Sequence, residues 1–361
     1  MVDFDALQAA GIANARARAP VFEYFEILGF TVEDMAEAER RGRLFGLAGD
    51  AIRHLGPPTH SLRTAAGHLG LSVTEAERLW ALVGLKVADP DHVELSDPDV
   101  AALGTCAAML ALMGDGAAGV LRCIGSAMSR LSEAEAATLR TGRPDMWITR
   151  SNDELATARA WREIAELIPR IGGLMDVVHR HHVERPNLSD ALVADPSGNV
   201  VCGVGFADLS DFTAMTRVLS LAELSLMLDT FSETAAEVVH DGDGRLVKFI
   251  GDAVMWVNAT PAQLVTTATE LVGHPRIRGA RLRIRVGLSY GSVLAVNGDY
   301  FGTTVNLAAR LVAAADAGHL LADASVHDQL ADQRADGTKS FTLKGFDEPV
   351  TAYDITVASD G

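Results

Sequence analysis

The sequence has few cysteines, and they form no pattern. Only three occur in 361 residues, Cys106, Cys123 and Cys202, and each lies among apolar neighbours. They lack the paired spacing that structural zinc sites and the disulfide frameworks of small secreted domains require. We therefore expect buried thiols without disulfide bonds, in a reducing compartment.

Long apolar runs are also missing. The most hydrophobic stretch, residues 100–113, is soon followed by Asp115, and it is shorter than the ~20 residues that a membrane-spanning helix needs. The N-terminus, MVDFDALQAAG, is acidic and lacks the basic-then-apolar order of a signal peptide. We expect a cytoplasmic protein with no membrane span, in which residues 100–113 form a core helix.

Basic charge is scarce. The 31 Lys and Arg residues are outnumbered by 48 Asp and Glu residues, which gives a formal net charge of −17. A nucleic-acid-binding surface needs clustered Lys and Arg, so the composition argues against a nucleic-acid partner. The chain is long enough for two domains of ordinary size.

The N-terminal half, residues 1–185, is predicted to be an all-α regulatory domain, because Ala, Leu, Glu and Arg dominate and β-branched runs are scarce. Residues 61–85 resemble a helix-turn-helix, with a second helix that we begin near Ser72, with Glu77 in the capping position. That helix carries acidic residues, and Arg78 is its one basic residue. A packing hairpin therefore explains it better than a DNA-recognition helix. Further along, we expect one helix from about Leu95 to Arg130.

A change in residue composition predicts a domain boundary. Residues 186–199 are rich in turn formers and are predicted to be a linker. Just before them lie three histidines, His179, His181 and His182. They fit a solvated helix end, but they also fit a proton-sensitive regulatory hinge, because histidine titrates near pH ~6.5.

Residues 200–361 alternate strand-like and helical segments, and their order at the front, β-α-β-β-α-β, is ferredoxin-like. The expected fold class is therefore α+β, an all-helical N-terminal domain followed by a ferredoxin-like domain. Asp208 ends the first strand, and Asp252 lies in the Gly-Asp turn of RLVKFIGDAVMW, residues 245–256. Neighbouring strands would bring these carboxylates together, as Mg²⁺ requires.

A third segment, DYFGTTVNLAAR at residues 299–310, places two polar side chains four residues apart. Asn306 and Arg310 would therefore share one face of a helix. Either residue alone has an ordinary structural explanation. Their spacing after Asp299 and Gly302 is the more informative feature.

Three segments together resemble the class III nucleotidyl cyclases: FADLSDFT (206–213), KFIGDAVM (248–255) and DYFGTTVNLAAR (299–310). The resemblance covers about residues 198–357. It implies an adenylate cyclase that converts ATP into cyclic AMP and pyrophosphate, with two Mg²⁺ or Mn²⁺ ions in each active site. The implied roles are metal binding by Asp208, Asp252 and the Leu209 carbonyl, adenine recognition by Lys248 and Asp299, transition-state contacts by Asn306 and Arg310, and a triphosphate contact by Lys344.

The resemblance also implies a head-to-tail homodimer, because in this family the metal aspartates and the other site residues come from different subunits. One departure stands out. The family usually has glycine where this chain has Asp211. An added negative charge there would weaken nucleotide binding unless it points away from the phosphates.

The helical half before a cyclase domain resembles the regulatory domain of the mycobacterial acid-activated adenylyl cyclases. That resemblance implies autoinhibition released by acid, with the three histidines in the switch region, and a fatty acid bound by the N-terminal domain. Residues 100–113 would then either line a lipid pocket or simply pack in the core. Two alternative functions remain: a nucleotide-sensing regulator with a DNA-binding-like helical domain, and a guanylate cyclase.

Overall fold

A computed structural model of the chain describes residues 2–53, 56–141, 153–184, 199–330 and 335–355. The chain divides into two compact units, Met1–His181 and His182–Gly361, and we describe each by itself. The predicted linker, residues 186–199, lies outside the described residues except for Asn199.

The described part of the N-terminal unit is almost entirely helical. Its helices are α1 (Phe4–Ala9), α2 (Ala19–Ile27), α3 (Val32–Arg40), α4 (Leu47–Arg53), α5 (Leu62–His68), α6 (Val73–Leu82), α7 (Asp97–Met113), α8 (Asp115–Thr141), α9 (Glu154–Ala165) and α10 (Leu167–Glu184). A ribbon of two short antiparallel strands, β1 (His60–Ser61) and β2 (Val93–Leu95), adds the only sheet among the described residues of this unit.

Two apolar cores hold this unit together. The first is formed by α1 to α4 with α9 and includes Phe22, Phe25 and Met35. The second is formed by α5 to α8 and includes Leu79 and Trp80. The helix α6 therefore packs one of its faces into the second core.

Two of the expected helix boundaries were wrong. The cap of α6 uses Glu75 rather than Glu77, since the Ser72 amide donates to the Glu75 carboxylate at 2.8 Å. The helix expected to run to Arg130 ends at Met113, because Gly114 adopts a φ of 63° that interrupts the helical backbone. No described helix has the length and hydrophobicity needed to cross a bilayer.

The three cysteines form no disulfide, as the sequence predicted. Cys106 and Cys202 are buried, but Cys123 is only half-buried. Burial raises the pKa of the Cys202 thiol to about 12, so this side chain stays a neutral thiol within the core.

The described residues of the C-terminal unit form an eight-stranded sheet. Its strands are β3 (Asn199–Leu209), β4 (Arg245–Ile250), β5 (Ala253–Asn258), β6 (Ile284–Val296), β7 (Asp299–Phe301), β8 (Leu320–Asp323), β9 (Ala335–Phe341) and β10 (Val350–Ile355). The order is β4-β5-β3-β6-β8-β10-β9, with β7 paired to β6. All neighbours are antiparallel except β6 and β8.

The front of this sheet confirms the ferredoxin-like order. Its connecting and flanking helices are α11 (Phe212–Met215), α12 (Leu221–Asp241), α13 (Pro261–Gly273), α14 (Pro275–Gly279), α15 (Thr303–Ala314) and α16 (Ala324–His327). A capping box between Ser220 and Glu223 begins α12, as the sequence predicted. The strand β7 and the short helices α11 and α14 were not expected from the sequence.

The two faces of the sheet are covered differently. Ala207 and Leu209 of β3 pack with α12 and α13, whereas Val204 and Phe206 pack with α15. Because side chains alternate along a strand, Asp208 lies on the face that carries α15. This alternation sets the direction from which the candidate site is approached.

Candidate active site

Two carboxylates meet where β3 ends and the β4–β5 turn begins. Asp208 lies opposite Ala253 in the β3–β5 ladder, and the Leu209 amide donates to the Asp252 carbonyl at 3.3 Å. Gly251 supplies the positive φ, 64°, that this tight turn needs. Burial raises the pKa of the Asp252 carboxyl, and the neighbouring Asp208 charge raises it further. The positive charge of Arg285 partly offsets this increase in pKa. The two aspartates are therefore close enough to repel each other.

Arg285 is a site residue that the sequence reasoning missed. It lies opposite Asp208 in the β3–β6 ladder, and its Nε and Nη2 donate to Asp208 Oδ2 at 2.9 and 2.5 Å. Both side chains are largely shielded from water, with exposed fractions of 32% for Arg285 and 17% for Asp208. Only the pairing of two strands 77 positions apart creates this contact.

Lys248 and Asp299 form a second pair. The Lys248 ammonium on β4 contacts the Asp299 carboxylate at the start of β7. The other Asp299 oxygen accepts from the Tyr300 amide at 2.8 Å, and the ammonium lies 6.0 Å from the centre of the Phe301 ring. Both charged side chains remain partly open to solvent, at 32% and 26%. A donor and an acceptor are thus held side by side where a ligand can reach them.

Asn306 and Arg310 are exposed on α15. Within the described parts of the chain, neither side chain has a hydrogen-bonding or ion-pairing partner. The helix that carries them lies very close to the sheet at Gly287. A Cβ there would come within 2.2 Å of the Val312 amide nitrogen and 2.3 Å of the Ala308 carbonyl. Glycine at this position lets α15 approach β6 closely.

A cleft of about 550 Å³ opens beside Asp252 and Arg285. It is lined by Leu209, Ser210, Asp211, Phe212, Thr213, Ala214, Arg217, Asp252, Arg285, Ala315, Asp316 and Ala317. Among the described residues, this lining does not include Lys248, Asp299, Asn306 or Arg310. Within a single chain, the residues predicted to act together therefore do not all line one cleft.

Comparisons with known proteins agree with these motifs. Residues 193–356 match the model of the adenylate and guanylate cyclase catalytic domain. An adenylate cyclase of Streptomyces coelicolor is 30% identical over 279 residues, which cover 74% of this chain and 70% of that protein. The chain belongs to the class III nucleotidyl cyclases.

Two further relatives extend the similarity beyond the cyclase domain. An uncharacterized protein of Mycobacterium tuberculosis is 55% identical over 356 residues, covering 98% of this chain and 94% of that protein. A pH-sensitive adenylate cyclase of the same species is 28% identical over 322 residues, covering 81% of this chain and 79% of that protein. The helical unit of this cyclase therefore has counterparts in other members of the family.

The departure at Asp211 is resolved by the geometry of the cyclase domain. Asp211 adopts a left-handed backbone, with φ 63° and ψ 17°, which explains why glycine suits this position. Its carboxylate accepts from Arg283 Nη2 at 3.0 Å. The added negative charge is thus matched by an arginine that the sequence reasoning had not considered.

The remaining predicted residues lie apart from the cleft. Lys344 is exposed between β9 and β10, and among the described residues it makes no ion pair and does not line the cleft. His179, His181 and His182 are exposed on the last turns of α10. The helix α7 buries Leu103 and Cys106 in the second core. The C-terminal end of α7 is exposed to solvent, and Leu112 there has a relative exposure of 87%.

Proposed function

We propose that this chain is an adenylate cyclase that converts ATP into 3′,5′-cyclic AMP and pyrophosphate. The observation that carries the proposal is the pairing of Lys248 with Asp299. The adenine edge presents a ring-nitrogen acceptor and an amino donor, which a lysine and an aspartate complement. Guanine presents a carbonyl acceptor where adenine has its amino group. The Asp299 carboxylate would repel this carbonyl oxygen.

The donor set at the end of β3 fits divalent metal ions. Asp208 and Asp252 supply carboxylate oxygens, and the raised pKa of Asp252 beside Asp208 indicates a pair that a cation would stabilise. No cluster of three or more metal-ligating side chains occurs among the described residues, which suits Mg²⁺ or Mn²⁺ because Mg²⁺ keeps water and phosphate oxygens as its other ligands. At such a site, the ions would neutralise the triphosphate and acidify the ribose 3′-hydroxyl.

The chain's own residues provide the positioning. Lys248 and Asp299 orient the base, and Asn306 orients the ribose so that its 3′-oxygen lies in line with the α-phosphorus. The 3′-oxygen forms a bond to that phosphorus, the bond to pyrophosphate breaks, and the hydroxyl proton passes to solvent. Arg310 stabilises the charge that develops on the α-phosphate, and its guanidinium, without an ion-pair partner in the described chain, is available for this role.

Arg285 completes the charge balance in this proposal. Its guanidinium donates to Asp208 Oδ2, one of the two oxygens of a candidate metal ligand. A metal ion held by Asp208 would compete with Arg285 for this carboxylate, and the guanidinium could then turn toward the cleft that it lines. There it can contact a phosphate oxygen, with which arginine forms strong charge-assisted hydrogen bonds.

A complete site requires two chains in this proposal. The cleft beside Asp252 lacks the base-binding pair and the α15 residues. Large apolar side chains are exposed beside the base-binding pair, including Ile250 at 51% and Phe301 at 50%, and such exposure favours a protein partner. A head-to-tail homodimer would join the cleft of one chain to Lys248, Asp299, Asn306 and Arg310 of the other.

Mixing two inactive variants tests the shared site. In Asp252→Asn the metal half is damaged, and in Arg310→Ala the other half is damaged, so each homodimer should be inactive. An equal mixture that exchanges subunits should recover about a quarter of the wild-type rate, because half of the dimers would contain one intact site. A mixture as inactive as its components would contradict the shared arrangement.

The helical unit is proposed to regulate the catalytic one, in response to pH or to a fatty acid. The similarity to a pH-sensitive adenylate cyclase over 322 residues supports this, since that span exceeds the cyclase domain. The exposed histidines at the end of α10 are the candidate proton-sensing groups. The full chain and a truncated chain beginning at Asp195 should then show different pH profiles, and identical profiles would contradict the regulation.

The assay for the activity itself is direct. The purified full chain is incubated with Mg²⁺ or Mn²⁺ and either ATP or GTP between pH ~5.5 and 8, and cyclic nucleotide is quantified. Cyclic AMP from ATP, with much less cyclic GMP from GTP, is the expected result. Preferential cyclic GMP formation would identify a guanylate cyclase, and nucleotide binding without any product would identify a sensor.

A further inference from the structure

The turn after β3 contains an aspartate that faces a cleft proposed to bind a triphosphate. Asp211 lines this cleft, and its carbonyl accepts from the Ala214 and Met215 amides at 2.9 and 3.0 Å, so its backbone begins α11. Its side chain makes no capping bond to that helix. Asp211 therefore places a negative charge at the edge of the cleft without the usual structural role of a capping aspartate.

Arg283 is held beside this aspartate by the sheet. The Ser210 amide donates to the Arg283 carbonyl at 2.8 Å, which extends the β3–β6 pairing by one position beyond Leu209 and Ile284. The Arg283 guanidinium donates to Asp211 at 3.0 Å, and among the described residues Arg283 does not line the cleft. Arg283 therefore attracts the Asp211 carboxylate without itself lining the cleft.

A comparison with Arg285 distinguishes the two arginines. Arg285 lies within β6, whereas Arg283 immediately precedes that strand. Arg285 pairs with Asp208, a candidate metal ligand, so a bound metal ion would compete with this ion pair. Arg283 pairs with Asp211, which has no proposed role in metal binding, so its pair can persist while nucleotide is bound.

We propose that Arg283 is a positioning residue for the nucleotide: it neutralises Asp211 and turns its carboxylate from the phosphates. This inference rests on the proposed function, since it concerns the triphosphate of the same cleft. The pair is well exposed, at 64% and 68%, so the effect is moderate and depends on salt. Asparagine tolerates the left-handed backbone nearly as well as aspartate, which makes the charge separable from the turn.

The test measures binding of 3′-deoxy-ATP with Mg²⁺ by calorimetry on the full chain, because this analogue lacks the attacking hydroxyl and cannot cyclise. Arg283→Gln should raise its Kd about fivefold, the effect of an uncompensated charge near the surface, and the increase should shrink at high salt. The double variant Asp211→Asn/Arg283→Gln should return to near the wild-type Kd. In turnover, Arg283→Gln should raise KM and leave kcat almost unchanged.

Arg276→Gln is the matched control, because Arg276 also forms an exposed ion pair, with Glu237 at 2.6 Å. This substitution should leave the Kd for the analogue unchanged. The inference is overturned if Arg283→Gln binds the analogue as wild type does, or if the double variant binds as weakly as Arg283→Gln alone. A wild-type chain that binds the analogue but forms no cyclic product would contradict the proposed function, while the binding comparison would still decide the role of Arg283.

Discussion

Replacing either aspartate of the candidate metal site by asparagine should abolish cyclisation, but the two changes should shift metal-free stability in opposite directions. Asp208 accepts two hydrogen bonds from Arg285, so its charge is compensated. Asp252 is partly buried next to Asp208, and its pKa is raised by burial and by that neighbouring charge. One carboxylate therefore stabilises the metal-free fold, and the other opposes it.

The magnitudes follow from these contacts. Hydrogen bonds to charged groups contribute about 1.5–3 kcal/mol, and the partial exposure of Asp208 and Arg285 reduces this, so Asp208→Asn should cost about 1–2 kcal/mol of unfolding free energy. A neighbouring like charge in a partly buried site costs on the order of a few kcal/mol at an effective dielectric of ~20. Attraction by Arg285 offsets most of that repulsion, so Asp252→Asn should gain about 0.5–1 kcal/mol.

The sign of the pH dependence is set by the raised pKa of Asp252. A folded state that holds this proton more tightly than the unfolded chain loses stability as pH rises from the ordinary aspartate value of 3.8 through the raised pKa. The loss is complete above the raised pKa, at neutral pH. Asp252→Asn removes it, so its advantage over wild type should be greatest at neutral pH and should decline toward acid.

Urea unfolding of the full chain in EDTA at pH 7 measures both free energies. Added Mg²⁺ should then stabilise wild type by mass action, and Asp252→Asn should respond much less. The reasoning is refuted if both variants change metal-free stability in the same direction, or if Asp252→Asn retains cyclase activity. Far-UV circular dichroism of each variant controls for a change of fold.

Three other substitutions have defined outcomes. Arg310→Ala should lower kcat about 10²–10³-fold with little change in KM, because the charge it supplies develops in the transition state; an equal effect on analogue binding would contradict this. Asp299→Asn should reduce the preference for ATP over GTP at least about tenfold, since an amide can donate to the guanine carbonyl; an unchanged ratio of cyclic products would exclude Asp299 from base selection. Gly287→Ala should destabilise the protein by about 1–3 kcal/mol or more, because its Cβ would lie 2.2 Å from the Val312 nitrogen, and a wild-type melting temperature would contradict the close approach of α15.

Local patterns predicted much of this molecule. Short apolar runs predicted β3 and β5, a capping box placed the start of α12, and the order of elements indicated the ferredoxin-like sheet. Because that topology places β3 beside the β4–β5 hairpin, the proximity of Asp208 and Asp252 followed from the sequence. The spacing of Asn306 and Arg310 likewise followed, since four residues make about one helical turn.

Contacts between distant segments were decided only by the tertiary structure. Arg283 and Arg285 meet Asp211 and Asp208 through the register of β3 against β6, and a shift of one residue would turn every side chain to the opposite face. No local pattern in either strand encodes that register. The sequence by itself determined which chemical groups the cyclase carries and on which elements they lie, whereas strand pairing decided which aspartate is neutralised by which arginine, because charges interact through space and not along the chain.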